Sequence, residues 1–585
     1  MKLSSDNIRD TLRHLMARVL GKLPARHSIG DEPPLRAELF SAEQMERHGK
    51  TLAGLHRLSS QRAPDQLLAR LADNERVLFE ACNLLTAAIK ANRRISPAGE
   101  WLLDNFYLIE EQIRTAKRHF PAGYSRELPR LARLGQGPSA GLPRAYDIAL
   151  EAISHGDGRV DPENLSRFVA AYQTITALKL GELWAIPIML RLALVENLRR
   201  VGARVAASTI DRERADAWAD QMMEVAEKDP KSLILVVADM ARSHPPIASS
   251  FVAEFARRQQ GQSAALALPL TWIEQRLSES GLTIDQLVQS ETQKQASGQV
   301  SISNSIGSLR FLGAMDWRKF VESMSGVEQK LREDPGGVYG MMDFATRDRY
   351  RHAVEKIAKA SRLSEVEVAR KAIQLAHEGA ASAKTKDGNG DGARTAHVGY
   401  YLIDKGLPQL KRAVEMRFSI QDAMQSMGRR CPLLLYLGTI GLLTLVFSAS
   451  LLAQAHADAL HAWSLAGVAM LLAFCSSHLA IALVNWAATL LAAPRPLPRL
   501  DFSKGIAPDC RTLVVVPTLL LSAQNIEDLI EALEVRFLAS STSISSSGSV
   551  SVCASRKSVN RPKCRLASRF ARNRTSRASI RSSMF

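Results

Sequence analysis

Two long runs without Asp, Glu, Lys or Arg constrain this chain more than any other feature of its sequence. The first run, Leu433–Ala453, has 21 residues, and the second, Trp463–Ala493, has 31. A helix needs about 20 apolar residues to cross a hydrocarbon core of roughly 30 Å. We therefore predict transmembrane helices over residues 432–453 and 463–493. The second run is long enough to tilt or to continue into the membrane interface.

Basic residues flank this helix pair on its outer sides only. The segment that connects the runs, Gln454–Ala462, contains no Lys or Arg. Because short cytoplasmic flanks are enriched in Lys and Arg, we predict a two-helix transmembrane hairpin with both long ends in the cytoplasm. The outer basic residues are Lys405, Lys411, Arg412, Arg417, Arg429 and Arg430 before the first run, and Arg495, Arg499, Lys504 and Arg511 after the second.

The formal charge of +17 arises mostly from the last 46 residues. Residues 540–585 contain ten Lys or Arg, 15 Ser and no acidic residue, whereas residues 1–539 carry 66 basic against 59 acidic residues, a net +7. Such a composition predicts a Ser/Arg-rich disordered tail that binds polyanions without specificity. We expect no specific nucleic-acid partner.

The sequence that precedes the two apolar segments is typical of a mainly α protein. Residues 1–379 form a large helical cytoplasmic region, with a sub-boundary expected in the Gly- and Pro-rich segment 134–143. A capping box at Ser364–Glu367 opens a helix that Gly379 is expected to end. A flexible linker over 380–397 and a juxtamembrane helix over 398–431 then lead to the membrane.

Within the helical region, three segments carry specific predictions. Leu183–Leu198 is nearly all apolar but only 16 residues long, so we predict a buried core helix rather than a membrane span. Asp211–Ala226 is predicted to be a separate short helix. Gln295–Ser308 is polar and predicts a loop with one extended piece.

The basic amphipathic pattern near the N-terminus has two interpretations. Such a helix either lies on anionic lipid or packs on its own domain, and the second is the commoner arrangement. The apolar residues of this face are Ile8, Leu12, Leu15, Met16, Val19 and Leu23.

The pattern changes after the second run. Thr512–Pro517 is a β-branched run of buried-strand type, and Asn525–Leu538 predicts an amphipathic helix with Asn525 as its N-cap. A strand followed by a helix predicts that residues 495–539 are the truncated start of an α/β domain.

Candidate sites were weighed against simpler interpretations. The segment Asp387–Gly392 resembles the start of a calcium loop, but Val398 occupies the position of the bidentate Glu, which favours a flexible linker. His155–Arg159 is interpreted as a turn. The six cysteines are scattered and no His spacing is metal-like, so we predict no metal site and no disulfide framework. We assign no catalytic residue.

An acidic and aromatic cluster precedes the first Gly-rich break. Paired carboxylates beside aromatic rings are typical of glycosidase sites. The same spacing is explained by a core stripe with a solvated acidic flank, which we favour. The cluster consists of Glu100, Trp101, Asp104, Phe106, Tyr107, Glu110 and Glu111.

Five long phrases carry a family resemblance: GEWLLDNFYLIEEQIRTAKR (99–118), GYSRELPR (123–130), residues 161–200, HVGYYLIDKGLPQ (397–409) and RPLPRLDFSKG with TLVVVPTL (495–519). Through them the chain resembles the bacterial cyclic β-1,2-glucan synthases over about residues 30–539. The resemblance implies a cytoplasmic N-terminal region, membrane helices and a glycosyltransferase domain in the bacterial inner membrane. It implies glucosyl transfer from UDP-glucose, with Mg²⁺ or Mn²⁺, to a growing β-1,2-glucan that is cyclised and exported.

Only Pro517 and Thr518 can be carried over as UDP-glucose-binding residues. The metal-binding carboxylates and the catalytic base lie further along such sequences, and the likeness stops near Ala539. We therefore expect this polypeptide alone to be inactive, with 540–585 translated out of frame. The alternative is a non-enzymatic, membrane-anchored helical scaffold or interaction protein. The sequence leaves the oligomeric state open.

Overall fold

A computed structural model gives the chain as a mainly helical protein, as predicted. The chain divides into two compact units, Met1–Gln329 and Lys330–Phe585. The structure describes residues 32–33, 35, 37–59, 66–120, 123–132, 141–245, 247–260, 267–385, 394–416, 432–457, 462–491, 497–502, 522, 524–525, 527–532 and 535.

The first unit is built from helices of 4 to 49 residues and a two-residue antiparallel strand pair. Leu58 pairs with Leu131, and Ser59 pairs with Arg130. The elements are α1 Ala42–Leu55, β1 Leu58–Ser59, α2 Leu67–Lys90, α3 Pro97–Asp104, α4 Phe106–His119, α5 Tyr124–Glu127, β2 Arg130–Leu131, α6 Arg144–His155, α7 Pro162–Gln173, α8 Leu180–Lys228, α9 Leu233–Arg242, α10 Ser249–Gln259, α11 Ala267–Ser278, α12 Ile284–Ala314, α13 Trp317–Met324 and α14 Gly326–Leu331.

Helix α8 is the axis of the first unit. Its 49 residues span about 74 Å at 1.5 Å per residue. The stretch predicted as a core helix, Leu183–Leu198, is buried among α2, α4 and α6, which confirms that prediction. The predicted separate helix over Asp211–Ala226 is wrong. That segment continues α8, where Ala215, Ala219 and Met222 form a narrower buried stripe against α9 and α10.

Helix α12 contradicts the loop predicted over Gln295–Ser308. A capping box at Thr283 and Gln286 starts the helix, which runs unbroken to Ala314. Three of its serines, Ser301, Ser305 and Ser308, are buried, and Ser301 and Ser305 accept from Asn197 Nδ2 at 3.0 and 3.1 Å. The polar face that suggested a loop is therefore stabilised by partners on α8.

The second unit begins with a small helical bundle. The Ser364–Glu367 capping box is confirmed, since Glu367 N donates to Ser364 Oγ at 3.3 Å and Ser364 N donates to Glu367 Oε2 at 2.8 Å. Gly379 does not end the helix, which continues to Thr385. The helices are α15 Phe344–Lys359, α16 Glu365–Thr385, α17 Gly399–Ile403 and α18 Leu407–Ala413.

The described part of the predicted juxtamembrane helix is not one continuous helix. Helices α17 and α18 are separated by a turn at Asp404–Gly406, and Glu415 has a positive φ of 49° beyond α18. The buried side chains of Tyr401 and Leu402 hold this segment against α15 and α16. Residues 417–431 lie outside the described chain.

Two helices are long and apolar enough to cross a membrane. They are α19, Pro432–Ala457, and α20, Ala462–Leu491, which pack against each other. Their apolar side chains face outward: Leu442 is 64% exposed and Met470 is 78% exposed. A core helix of a soluble protein would bury such residues, so their exposure favours contact with lipid.

The chain after α20 returns to the bundle of the second unit. Leu500 forms an isolated bridge with Met342. Asp343 N donates to Arg499 O at 2.9 Å, and Arg499 N donates to Thr346 Oγ1 at 3.0 Å. The segment 499–500 therefore lies beside the start of α15.

Residues further along are described only in part. Residues 524–525, 527–532 and 535 are helical, and Ser522 Oγ accepts from Asn525 N at 3.2 Å. Asn525 thus lies inside the helix, and the prediction that it is the N-cap is wrong.

Candidate functional site

The predicted UDP-glucose residues, Pro517 and Thr518, lie outside the described residues. The predicted strand Thr512–Pro517, the segment Asp387–Gly392, the N-terminal amphipathic pattern and the tail 540–585 also lie outside them. Their assignments stay predictions.

The acidic and aromatic cluster is an amphipathic surface rather than a cleft. On α3 and α4, Leu102, Ile109 and Ile113 are buried, while Glu100 and Glu110 are exposed. This burial pattern confirms the solvated acidic flank. The aromatic part of the predicted core stripe is wrong, because Trp101 and Tyr107 are 41% and 62% exposed and aliphatic side chains form the buried face instead. His155–Arg159 is likewise confirmed as a turn, with Asp157 and Gly158 at positive φ.

Glu196, on α8, is a fully buried carboxylate surrounded by donors. Arg70 donates from Nε to Oε2 at 2.6 Å and also contacts Oε1 through Nη2. Tyr146 Oη donates to Oε2 at 2.6 Å, and Arg200 Nη2 donates to Oε1 at 2.7 Å. Burial alone would raise the pKa of Glu196, but the Arg70 hydrogen bond and the other donors outweigh it and lower the pKa to about 2.

A second buried ion pair joins α6 to α8. Arg144 donates from Nε to Glu182 Oε1 at 2.8 Å and from Nη2 to Glu182 Oε2 at 2.5 Å. Its guanidinium lies 5.8 Å from the ring centroid of Tyr172, whose hydroxyl is 2.8 Å from His56 Nδ1. Burial lowers the pKa of Arg144, but the Glu182 carboxylate outweighs it and the pKa is raised. Because the two carboxylates, Glu182 and Glu196, are already held by arginines, both pairs are structural.

In the second unit, Asp334 ties the linker segment to the bundle. Its Oδ2 lies 2.7 Å from His397 Nδ1, and its Oδ1 accepts from Val398 N at 2.8 Å. Tyr339 N also donates to Oδ2, at 3.3 Å. Burial raises the pKa of Asp334, but His397 and the two backbone amides outweigh it, so the pKa is lowered.

One cluster places metal-type ligands together without an arginine. His48 lies on α1, and Glu151 and His155 lie one turn apart on α6. One ligand atom of each side chain lies within 4.8 Å of the others. Sequence reasoning missed this cluster because His48 is 103 residues from Glu151. The available signal was the Glu151/His155 spacing of four, which puts both on one helical face.

The fold and these sites define a mainly helical protein with two candidate membrane-spanning helices. No protein-family model matches the sequence. Over 524 residues, 89% of the chain, the sequence is 32% identical to "Cyclic beta-(1,2)-glucan synthase NdvB" of Rhizobium meliloti (strain 1021). The resemblance noted from the sequence is thereby confirmed. The chain spans 18% of that protein's length.

Proposed function

We propose that this chain is the membrane-anchored helical part of a machine that makes cyclic β-1,2-glucan. The observation that carries the proposal is the 32% identity over 524 residues, which extends through both the helical region and the apolar helix pair. In this proposal the helix pair lies in the bacterial inner membrane and its basic flanks face the cytoplasm.

The helical region acts as a scaffold that holds a glucosyltransferase at the membrane surface. The buried ion pairs support this role, because both carboxylates, Glu182 and Glu196, are held by arginines between helices, and such pairs can specify how helices pack. UDP-glucose would bind after the predicted strand, near Pro517 and Thr518. Mg²⁺ or Mn²⁺, which would neutralise the diphosphate, needs carboxylate oxygens, and Glu182 and Glu196 do not fit because arginines hold both.

We propose that the 585-residue polypeptide by itself transfers no glucose. Residues 540–585 contain no Asp or Glu to hold the metal of a nucleotide sugar. The test is incorporation of radiolabelled glucose from UDP-glucose by the purified chain in detergent with Mg²⁺ or Mn²⁺. We expect none above a heat-killed control, and β-1,2-glucan formed by the chain alone would overturn this part of the proposal.

A chimera tests the scaffold role directly. In the Rhizobium meliloti synthase, the aligned segment is replaced by the corresponding residues of this chain, and cellular cyclic glucan is measured in a strain that lacks its own synthase. Because the segments share 32% identity, we expect a membrane-bound chimera that makes glucan. A stable, membrane-bound chimera without glucan would instead favour the non-enzymatic interaction protein.

A further inference from the structure

We propose that His48, Glu151 and His155 form a binding site for a zinc-type divalent cation. The site belongs to the helical unit and is independent of the Mg²⁺ or Mn²⁺ proposed for UDP-glucose. It rests on three observations: the convergence of the three ligands, the orientation of His155 and the surroundings of its ring.

The three side chains converge on one carboxylate oxygen. Glu151 Oε2 lies 2.8 Å from His48 Nε2 and 3.3 Å from His155 Nε2. With Zn–N and Zn–O bonds of 2.0–2.1 Å, neighbouring ligands of a tetrahedral zinc ion are about 3.3 Å apart. All three ligand atoms lie within 4.8 Å of one another, and an ion among them would replace the proton of the His48–Glu151 hydrogen bond.

The tautomer of His155 leaves a lone pair on Nε2, the ring nitrogen that faces Glu151. Its Nδ1 lies 2.7 Å from Glu38 O. A carbonyl oxygen only accepts, so Nδ1 carries a proton, and in neutral imidazole Nε2 then presents its lone pair. That lone pair faces Glu151 Oε2, and two lone pairs at 3.3 Å repel each other unless a cation or a second proton lies between them.

The surroundings of His155 match those of metal-bound histidines. Ligating imidazoles usually donate their other N–H to a backbone carbonyl or carboxylate, which fixes the ring. Here Glu38 O is that carbonyl, and Phe40 also fixes the ring, because it stacks on His155 with centroids 3.8 Å apart and planes 9° apart. Hydrogen bonds from Ala37 N to Ser154 O and from Phe40 N to His155 O hold this segment against α6.

The donor set selects the ion. Two imidazoles and one carboxylate suit Zn²⁺ and similar transition metals, whereas Mg²⁺ and Ca²⁺ take oxygen ligands. The side chains of His48 and Glu151 are 24% and 30% exposed, which leaves a fourth position open to water. Three protein ligands and one open position are the arrangement of zinc sites that bind a water or another small ligand.

The experiment measures zinc uptake by the full chain in detergent. After removal of metal with a chelator, the protein is titrated with zinc sulfate alone, and bound zinc is counted by elemental analysis after gel filtration. We expect one zinc per chain and a rise in the thermal unfolding midpoint, because a ligand that binds only the folded state stabilises it. His155→Gln and Glu151→Gln should each weaken binding at least tenfold and abolish that rise.

Two further variants separate metal binding from structural roles. His352→Asn is the matched control, since His352 Nδ1 lies 3.3 Å from Asp348 Oδ2 and the other oxygen of Asp348 is held by Arg351, and it should bind zinc like the wild type. His155→Cys keeps a zinc ligand and should retain binding even if His155→Gln fails to fold. No zinc on the wild type, or equal zinc on the wild type, Glu151→Gln and His155→Gln, would overturn the proposal.

Discussion

Glu196 shows at the scale of single residues how a carboxylate is accommodated in an apolar helix. Its oxygens accept from Arg70, Tyr146 and Arg200, so the cost of removing it from water is offset by charged and neutral donors. Removing one partner of such a network leaves buried charges without compensation. We therefore expect substitution of Glu196 or of its arginine partners to destabilise the first unit.

Glu196→Gln should lower the free energy of unfolding by roughly 3 kcal/mol, because Arg70 and Arg200 would lose their counter-charge. The measurement is urea unfolding of the full chain in detergent, followed by circular dichroism. The matched control is Glu110→Gln on the exposed face of α4, which should change the value by less than about 0.5 kcal/mol. Equal effects of the two substitutions would contradict the structural role of Glu196.

The same carboxylate predicts a dependence of stability on pH. The pKa of folded Glu196 is about 2, below its ordinary 4.5, so the stability it contributes is present above pH 4.5 and is lost as the pH falls towards 2. The thermal midpoint should therefore fall less steeply for Glu196→Gln than for the wild type between about pH 5 and pH 2.5. Parallel pH profiles would show that this carboxyl is not shifted.

At the scale of elements, α12 and the turn after α6 depend on each other. Ser308 Oγ donates to Gly158 O at 2.8 Å and accepts from Val160 N at 2.8 Å. Gly158 has a φ of 78°, and an added Cβ would overlap Ser305 Oγ. The turn requires glycine for both its conformation and its close approach to α12.

Gly158→Ala should cost about 3 kcal/mol, from left-handed strain of about 1–2 kcal/mol and from overpacking against α12. The control is Gly281→Ala, with a φ of 69° and no neighbour within 4 Å, which meets the strain alone. Urea unfolding of both variants measures the difference. If Gly281→Ala were as destabilising as Gly158→Ala, contact with α12 would not matter.

At the scale of the whole molecule, the helix pair α19 and α20 is the part of the described chain that is long and apolar enough to cross a membrane. Tyr436 Oη donates to Asn485 Oδ1 at 2.8 Å between the two helices, and many large apolar side chains of the pair are exposed. The segments 341–346 and 499–501, before and after the pair, are hydrogen-bonded to each other. The chain after the pair therefore returns to the helical bundle that precedes the pair, as expected of a hairpin.

Labelling of single cysteines tests this hairpin. In a cysteine-free chain, a membrane-impermeant thiol reagent on intact cells should label Asp458→Cys, in the segment that connects the two helices. It should label Arg412→Cys, before the first helix, only after lysis, because Lys- and Arg-rich flanks stay in the cytoplasm. Labelling of Arg412→Cys in intact cells would contradict the predicted orientation, in which this flank lies in the cytoplasm.

The helical class and the two apolar helices can be predicted from the amino-acid sequence alone. Helical periodicity and unbroken apolar length depend only on residues a few positions apart, so no knowledge of the fold is needed to recognise them. The capping box at Ser364–Glu367 and the core helix around Leu183–Leu198 were predictable for the same reason. The resemblance to glucan synthases can also be recognised from the sequence, since long sequence phrases resemble theirs in the same order.

Which polar residues are buried, and which of them meet, emerged only once the helices were packed. The serines of α12 suggest a loop until Asn197 supplies their partners, and the length of α8 depends on the helices that surround it. His48 reaches Glu151 and His155 only because α1 packs beside α6, 103 residues along the chain. Contacts between distant segments leave no trace in local periodicity, so the cluster could be found only in the folded chain.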